Sequence, residues 1–213
     1  MKTTLYVIRH CHSLGNLNKV FTGHLEVPLS DLGLKQAEHL VEYFKNVKVD
    51  AIYSSDLNRT IQTISGVAKD KNLRINKDSA FREIYAGKWE GMAYSDVEAT
   101  YPEEYLRWKT DISKCHPTDG ERIKDMASRV FNKLTEVAIK EQGKSVIVTT
   151  HATPIKSIIS NVVYGTYEKM QELSWFPNAC ICKLEYENGK FSIIESCIIE
   201  HLKGDVSVLS KKV

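Results

Sequence analysis

Thr4-Leu5-Tyr6-Val7-Ile8-Arg9-His10 opens the chain with a run of β-branched and apolar residues that stops abruptly at two polar ones. A strand that is apolar at successive positions, rather than alternate ones, belongs inside a parallel sheet with helices on both faces. It delivers Arg9 and His10 at its carboxyl end, the edge at which α/β proteins place their chemistry. The stretch therefore predicts an α/β fold with a polar site at one end of the sheet.

The pattern repeats outward. After a loop containing Gly15, Gly23 and Pro28, Ser30 can cap a helix whose Leu34, Ala37, Leu40, Val41 and Phe44 recur at helical spacing. Asp50-Ala51-Ile52-Tyr53 reads as a second strand, followed by Ser54-Ser55-Asp56 and a helix with Ile61, Ile64 and Ala68 on one stripe. Thr118-Asp119-Gly120-Glu121 has the spacing of a capping box ahead of a long helix through Ile123, Ala127, Val130, Leu134 and Val137. Ser145 to Thr149 is a third buried strand, and Thr153-Pro154 predicts the next helix start as a cap and a first-turn proline. Residues 179–186 and 191–194 flank Asn188-Gly189, a strong hairpin signal. The sum is a three-layer α/β/α sandwich in one domain over residues 1–213. Its central sheet is mostly parallel, with one antiparallel edge strand or hairpin. Between about 84 and 117 glycines, a proline and crowded aromatics break the pattern, predicting a small cap-like excursion.

Composition narrows the function classes. Of 213 residues, 42% are hydrophobic and 26% charged, values of an ordinary folded domain. Lys plus Arg at 29 against Asp plus Glu at 27 leaves +2, dispersed along the chain, too little to expect a nucleic acid or an anionic membrane as partner. No apolar run approaches the roughly 20 residues of a membrane span, and Met1-Lys2-Thr3-Thr4 leads straight into a strand with no export signal. Cys11, Cys115, Cys180, Cys182 and Cys197 are odd in number and are expected as reduced thiols in a cytoplasmic protein. Cys180 and Cys182 would share one face of a strand, with Ile181 on the other. His39, His116 and His201 read as solvated surface residues. No histidine or cysteine pair has zinc-finger spacing, so no metal is expected.

Three segments carry chemistry. Arg9-His10-Cys11-His12-Ser13-Leu14-Gly15-Asn16 follows the first strand, where an arginine can bind an oxyanion and a histidine can attack it. Asp56-Leu57-Asn58-Arg59-Thr60 puts a second arginine at a helix start after the second strand. Thr149-Thr150-His151-Ala152-Thr153-Pro154 repeats the arrangement with a histidine beside free helix amides. Two arginines can flank one phosphate. A cysteine nucleophile at Cys11 would need an arginine six positions later, and Leu17 stands there.

From Thr4 to about Tyr186 the chain resembles the histidine phosphatase superfamily, phosphoglycerate mutase-like branch. The resemblance rests on Arg9-His10 with Ser13 and Asn16, on Phe21-Thr22-Gly23 and Pro28-Leu29-Ser30 with Gly33 and Gln36-Ala37, on Ser54-Ser55-Asp56-Leu57 with Arg59-Thr60 and Gln62-Thr63, on Arg82-Glu83-Ile84 with Gly87 and Trp89-Glu90-Gly91, and on Thr150-His151 with Pro154-Ile155. It implies that His10 is a nucleophile forming a phosphohistidine. Arg9, Arg59 and His151 would bind the phosphoryl oxygens, and Glu83 would protonate the leaving group. Asn16, Thr22, Gly23 and Ala152 would assist in the pocket, with His12 lining it and His24 in a loop near the substrate. No metal or cofactor is implied, and the expected partner is a small phosphorylated metabolite. Separately, the tail from Ile198 carries apolar residues among charges that could pack across a subunit interface or cover the active site, and a homodimer is expected.

Two positions depart from the family pattern, Cys11 and Ala152, where glycines are usual. A positive φ at Cys11 would be strained; otherwise its thiol would narrow the pocket or become an oxidation site. Tyr101, Tyr105 and Trp108 fit a packing stripe or a substrate contact, and Arg107, Lys109 or Lys114 could meet a substrate carboxylate if the excursion caps the pocket. The resemblance favours a phosphatase, since only 34 residues separate Glu83 from Thr118, where the mutases carry a longer segment. Candidate substrates are phosphoserine, 3-phosphoglycerate, a sugar phosphate and α-ribazole phosphate. The alternatives are a cofactor-dependent phosphoglycerate mutase and a non-catalytic phospholigand- or protein-binding member.

Overall fold

Six strands form one sheet: β1 (Thr3–Arg9), β2 (Ala51–Ser54), β3 (Ile75–Lys77), β4 (Ser145–Thr150), β5 (Ile181–Glu187) and β6 (Lys190–Ile198). Their order is β3-β2-β4-β1-β5-β6 in a computed structural model that describes residues 1–207. The first four strands are mutually parallel; β5 runs antiparallel to β1, and β6 to β5. β1 lies inside the sheet, with Val7 opposite Val148 on one side and Cys182 on the other.

The helices are α1 (Leu14–Leu17), α2 (Asp31–Phe44), α3 (Asn58–Asp70), α4 (Tyr94–Thr100), α5 (Pro102–Thr110), α6 (Ile123–Lys140) and α7 (Ala152–Tyr164). Successive strand residues feed opposite layers. Leu5, Val7, Val146 and Val148 pack with Val130 and Leu134 of α6 and Ile155 and Ile158 of α7. Tyr6, Ile8, Ile52 and Ile147 pack on the other side with Leu40 and Phe44 of α2 and Ile64 and Val67 of α3. Two covered faces explain the unbroken apolar runs, since each such side chain removed from water contributes roughly 1.5–3 kcal/mol. As expected, Cys180 and Cys182 face one layer and Ile181 the other.

Ser30 caps α2 as predicted, its hydroxyl accepting from the Gly33 N–H. The capping box at Thr118–Glu121 does not form. Arg122 occupies the cap of α6 without a side-chain bond, the Thr118 hydroxyl donates to Glu104, and both oxygens of Glu121 accept from Arg129. A stronger, bidentate partner has taken the glutamate. The cap of α7 is His151, two residues ahead of the predicted Thr153, so Pro154 falls later in the first turn. The hairpin forms around Asn188 and Gly189, both at positive φ, and β6 extends four residues beyond the predicted Ile194.

The chain after β6 folds back on its own molecule. Leu202 is fully buried in the α2–α3 layer, and Asp205 accepts from Gln36 through its carbonyl and pairs with His39 at 3.0 Å. His39 and His201 are therefore not solvated surface residues: His201 is buried and its Nε2 donates to the Ala179 carbonyl. Val208 and Leu209 of the predicted apolar tail lie outside the described residues. No described helix is long and apolar enough to cross a membrane.

In the excursion, α4 and α5 pack an aromatic stripe onto the core. Tyr105 and Trp108 are buried, and Trp108 meets Phe21 edge-on at 5.4 Å and Trp89 at 6.0 Å. Arg107, Lys109 and Lys114 stay on the surface, with Lys109 paired to Glu98 and Lys114 to Asp111.

Candidate active site

The carboxyl ends of β2, β4 and β1, adjacent in the sheet, present Ser55, His151 and the Arg9-His10 pair. Backbone bonds run across these ends, from the His10 N–H to the Thr150 carbonyl and from the Ser55 N–H to the Thr149 carbonyl. The sheet register thus aligns the three peptides before any side chain is placed.

His10 is buried, and its Nδ1 lies 2.7 Å from the Cys11 carbonyl oxygen. A carbonyl can only accept, so Nδ1 holds the proton and Nε2 keeps its lone pair. Burial, then the charges of Arg59 and Arg9, hold the His10 pKa well below the ordinary imidazole value. The ring is neutral and nucleophilic.

His151 packs edge-on to His10, with ring centroids 5.2 Å apart. Its Nε2 is 2.9 Å from the Ser55 hydroxyl, which itself accepts from the Leu57 N–H, leaving the hydroxyl proton for the ring. The proton of His151 then sits on Nδ1, a buried atom with no partner among the described residues. Burial and the Arg59 charge also push this pKa well down. His151 therefore offers a neutral donor.

Both arginines are buried and neither has a carboxylate within ion-pair distance among the described residues. Arg9 donates Nη1 to the Phe176 carbonyl at 2.5 Å, and Arg59 donates Nη1 and Nη2 to the Leu25 and Gly23 carbonyls. The Nε of each is buried without an acceptor among the described residues. Burial lowers Arg59 to about 10, so it stays cationic at neutral pH. Two such guanidiniums call for an oxyanion.

Glu83 lies half-buried in the wall of the same cavity. One oxygen accepts from the Ile84 N–H at 2.9 Å and the other from the Thr153 N–H, in the first turn of α7, at 3.3 Å. Its backbone is held from behind by Arg129, which donates to the carbonyls of Ala80, Arg82 and Glu83 while forming a two-point pair with Glu121. Arg82 makes a second such pair with Asp56. These clamps were not picked out from the sequence; an arginine in a helix pattern reads there as a solvated charge.

One cavity opens onto these groups. Arg9, His10, Asn16, Thr22, Gly23, Glu83 and Ala152 line it, all expected in the pocket. Asn16 Oδ1 accepts from the Ser13 N–H and the Asn178 side-chain amide, turning its NH2 free of those bonds. Gly23 is at φ +46°, and a Cβ there would lie 2.1 Å from Glu90 Oε1, which accepts from the His24 and Ala86 N–H groups. Arg59 and His151 sit just behind the lining. His12 is outside the wall, corrected from pocket-lining: its Nδ1 meets the Ser30 hydroxyl and its N–H donates to Gln36. His24 also lies outside it, with Nε2 donating to the Glu83 carbonyl. Phe21, Tyr94, Trp108 and Trp175 also line the wall, so Trp108 of the α5 stripe is at once core packing and cavity lining. Arg107, Lys109 and Lys114 do not reach it.

Cys11 has no positive φ, and its side chain is fully buried in the α2–α3 layer, away from the cavity. Burial pushes its thiol up to about 12, so it neither narrows the pocket nor supplies a thiolate. Among the described residues no group of three or more His, Cys, Asp or Glu is arranged to hold a metal ion.

The fold recurs in known proteins. A solved structure of Bacillus stearothermophilus YhfR superposes with a TM-score of 0.90 over 94% of this chain and 99% of that one, at 23% identity. Phosphoserine phosphatase 1 of Hydrogenobacter thermophilus is 34% identical over 154 residues, 72% of this chain and 73% of that protein. A 2,3-bisphosphoglycerate-dependent phosphoglycerate mutase of Gloeobacter violaceus is 29% identical over 175 residues, 79% and 80% of the two chains. The profile of the histidine phosphatase superfamily (branch 1) matches residues 5–198, and the chain belongs to that superfamily.

Proposed function

We propose that this protein is a metal-independent phosphomonoester phosphatase that hydrolyses small phosphorylated metabolites through a phosphohistidine on His10. The observation that carries the reading is the His10 Nδ1 bond to the Cys11 carbonyl, which frees Nε2 beside two guanidiniums that have no carboxylate partner among the described residues.

In the first step the Nε2 lone pair attacks phosphorus as the ester P–O bond breaks, and Glu83 transfers a proton to the departing oxygen. In the second, Glu83 takes a proton from water, whose oxygen attacks phosphorus and breaks the N–P bond, releasing phosphate and neutral His10. Transfer of this kind depends on positioning and on charge placed around the equatorial oxygens, which Arg9, Arg59 and the Nδ1–H of His151 supply. The short connection from Glu83 to Thr118 supports hydrolysis over the mutase alternative. Five free thiols, four of them buried, support a reducing, cytoplasmic setting.

The test is phosphate release from phosphoserine, 3-phosphoglycerate, α-ribazole phosphate and a generic aryl phosphate under excess chelator. Turnover should persist with chelator, and His10→Ala should lower it by roughly a thousandfold or more. Loss of turnover with chelator alone would overturn metal independence. Interconversion of phosphoglycerates without net phosphate release would select the mutase.

A further inference from the structure

Beyond the phosphate-facing groups, the cavity changes character. Trp108 and Trp175 stack on one another at 5.8 Å and 26° between ring planes, and both line the cavity, with Phe21 and Tyr94 beside them. The only charged residues of the lining are Arg9 and Glu83, both already engaged at the phosphate end. The remaining basic residues of the excursion lie elsewhere on the surface, and Lys156, whose Nζ faces the Trp175 ring, is not among the lining residues.

Trp175 is also held from its own side. Lys156 of α7, itself buried, places Nζ 4.3 Å from the centroid of the Trp175 ring and makes no ion pair among the described residues. A cation over the face fixes the ring in place. The next residue, Phe176, supplies the carbonyl that anchors Arg9. Trp175 is thus the chain neighbour of the residue that anchors the Arg9 guanidinium, which puts the stacked ring beside the phosphate end of the cavity.

We propose that the Trp108–Trp175 pair is the leaving-group subsite, and that it selects phosphomonoesters of alcohols bearing a flat aromatic group over esters bearing a carboxylate or second phosphate. The proposal rests on the phosphatase reading above and deepens it. Aromatic contact with the preformed pair, together with the apolar area it covers, favours aromatic esters, whereas a glycerate carboxylate would lose its water with no cation in the lining beyond the phosphate end to receive it.

The experiment separates the subsite from the chemistry. 2-Phenylethyl phosphate and glycerol 3-phosphate share leaving alcohols of similar acidity, so kcat/KM compares recognition rather than bond strength. 3-Phenylpropylphosphonate and propylphosphonate, which cannot be hydrolysed, give the same comparison by calorimetry. The wild type should prefer the aromatic ester, and bind the aromatic phosphonate more tightly, by about tenfold. Trp175→Ala should reduce both preferences to within about twofold while inhibition by inorganic phosphate is unchanged, which also shows that the variant is folded. Trp175→Phe should restore part of both. Equal handling of both members by the wild type, or preference for 3-phosphoglycerate, would overturn the subsite. Tight aromatic phosphonate binding without turnover of any ester would leave the subsite standing and remove the phosphatase assignment.

Discussion

A single backbone carbonyl decides what His10 can do. The Cys11 oxygen fixes the tautomer, and burial between Arg9 and Arg59 keeps the ring neutral far into acid solution. An imidazole at the ordinary value of about 6.5 would be half protonated, and unable to attack, at that pH. The Nε2 resonance of His10 should therefore keep its neutral-ring shift down to pH 5.5 in a nitrogen-detected NMR titration, and that of His151 should behave alike. A midpoint near 6.5 for His10 would contradict the site geometry. The same scale explains why cysteine is tolerated next to the nucleophile. The Cys11 N–H is bound by the Thr63 hydroxyl, its φ is not positive, and its thiol turns into the apolar layer behind the site.

At the scale of elements, the site depends on how closely α2 approaches the loop after β1. Ser30 both caps α2 and meets the His12 ring, and its N–H donates to the His12 carbonyl. Gly33, one turn into the helix, leaves room for that carbonyl: a Cβ there would sit 1.9 Å from the His12 oxygen. Gly33→Ala must push α2 away from residues 10–13 and should lower stability by about 1–3 kcal/mol, read as a lower urea midpoint with the slope unchanged. An unchanged midpoint would mean that α2 is not held against this loop. The strands and helices were legible because their signals are local: the apolar run at Thr4–Ile8, the Ser30 cap, the Asn188-Gly189 turn. What was not legible depended on distant partners. Glu121 had the spacing of a cap residue, yet Arg129, eight positions away, outbid the helix amides for it. β3, with Asn76 at its centre and no buried residue, carries no apolar signal, because it lies at the sheet edge beside β2. The site residues on strand ends were legible for the same reason the strands were. Arg129, Ser55, Tyr94 and Trp175 were not, since their roles exist only once the fold brings them beside Glu83, His151 and Arg9.

For the molecule as a whole, the active site is a destabilised region of an otherwise apolar interior, and the sign of its pH dependence follows. His10 and His151 resist protonation when folded but take protons near 6.5 when the chain is unfolded. Below that pH the unfolded state binds more protons than the native one, so stability is level above about 7 and falls as pH drops through 6.5. Two such groups remove on the order of 2 kcal/mol between pH 7 and 5.5, and the lowered His12 and His201 act in the same direction. Urea unfolding at the two pH values should show this loss, with the native far-ultraviolet signal unchanged before the transition. Inorganic phosphate should offset it at either pH: an anion seated between Arg9 and Arg59 binds only the native chain, and at a hundred times its dissociation constant adds about 2.7 kcal/mol. The offset should shrink in Arg59→Met. A phosphate effect equal in that variant would mean that the anion stabilises the protein from another surface, and that the two buried guanidiniums are held together by the fold for some purpose other than binding phosphate.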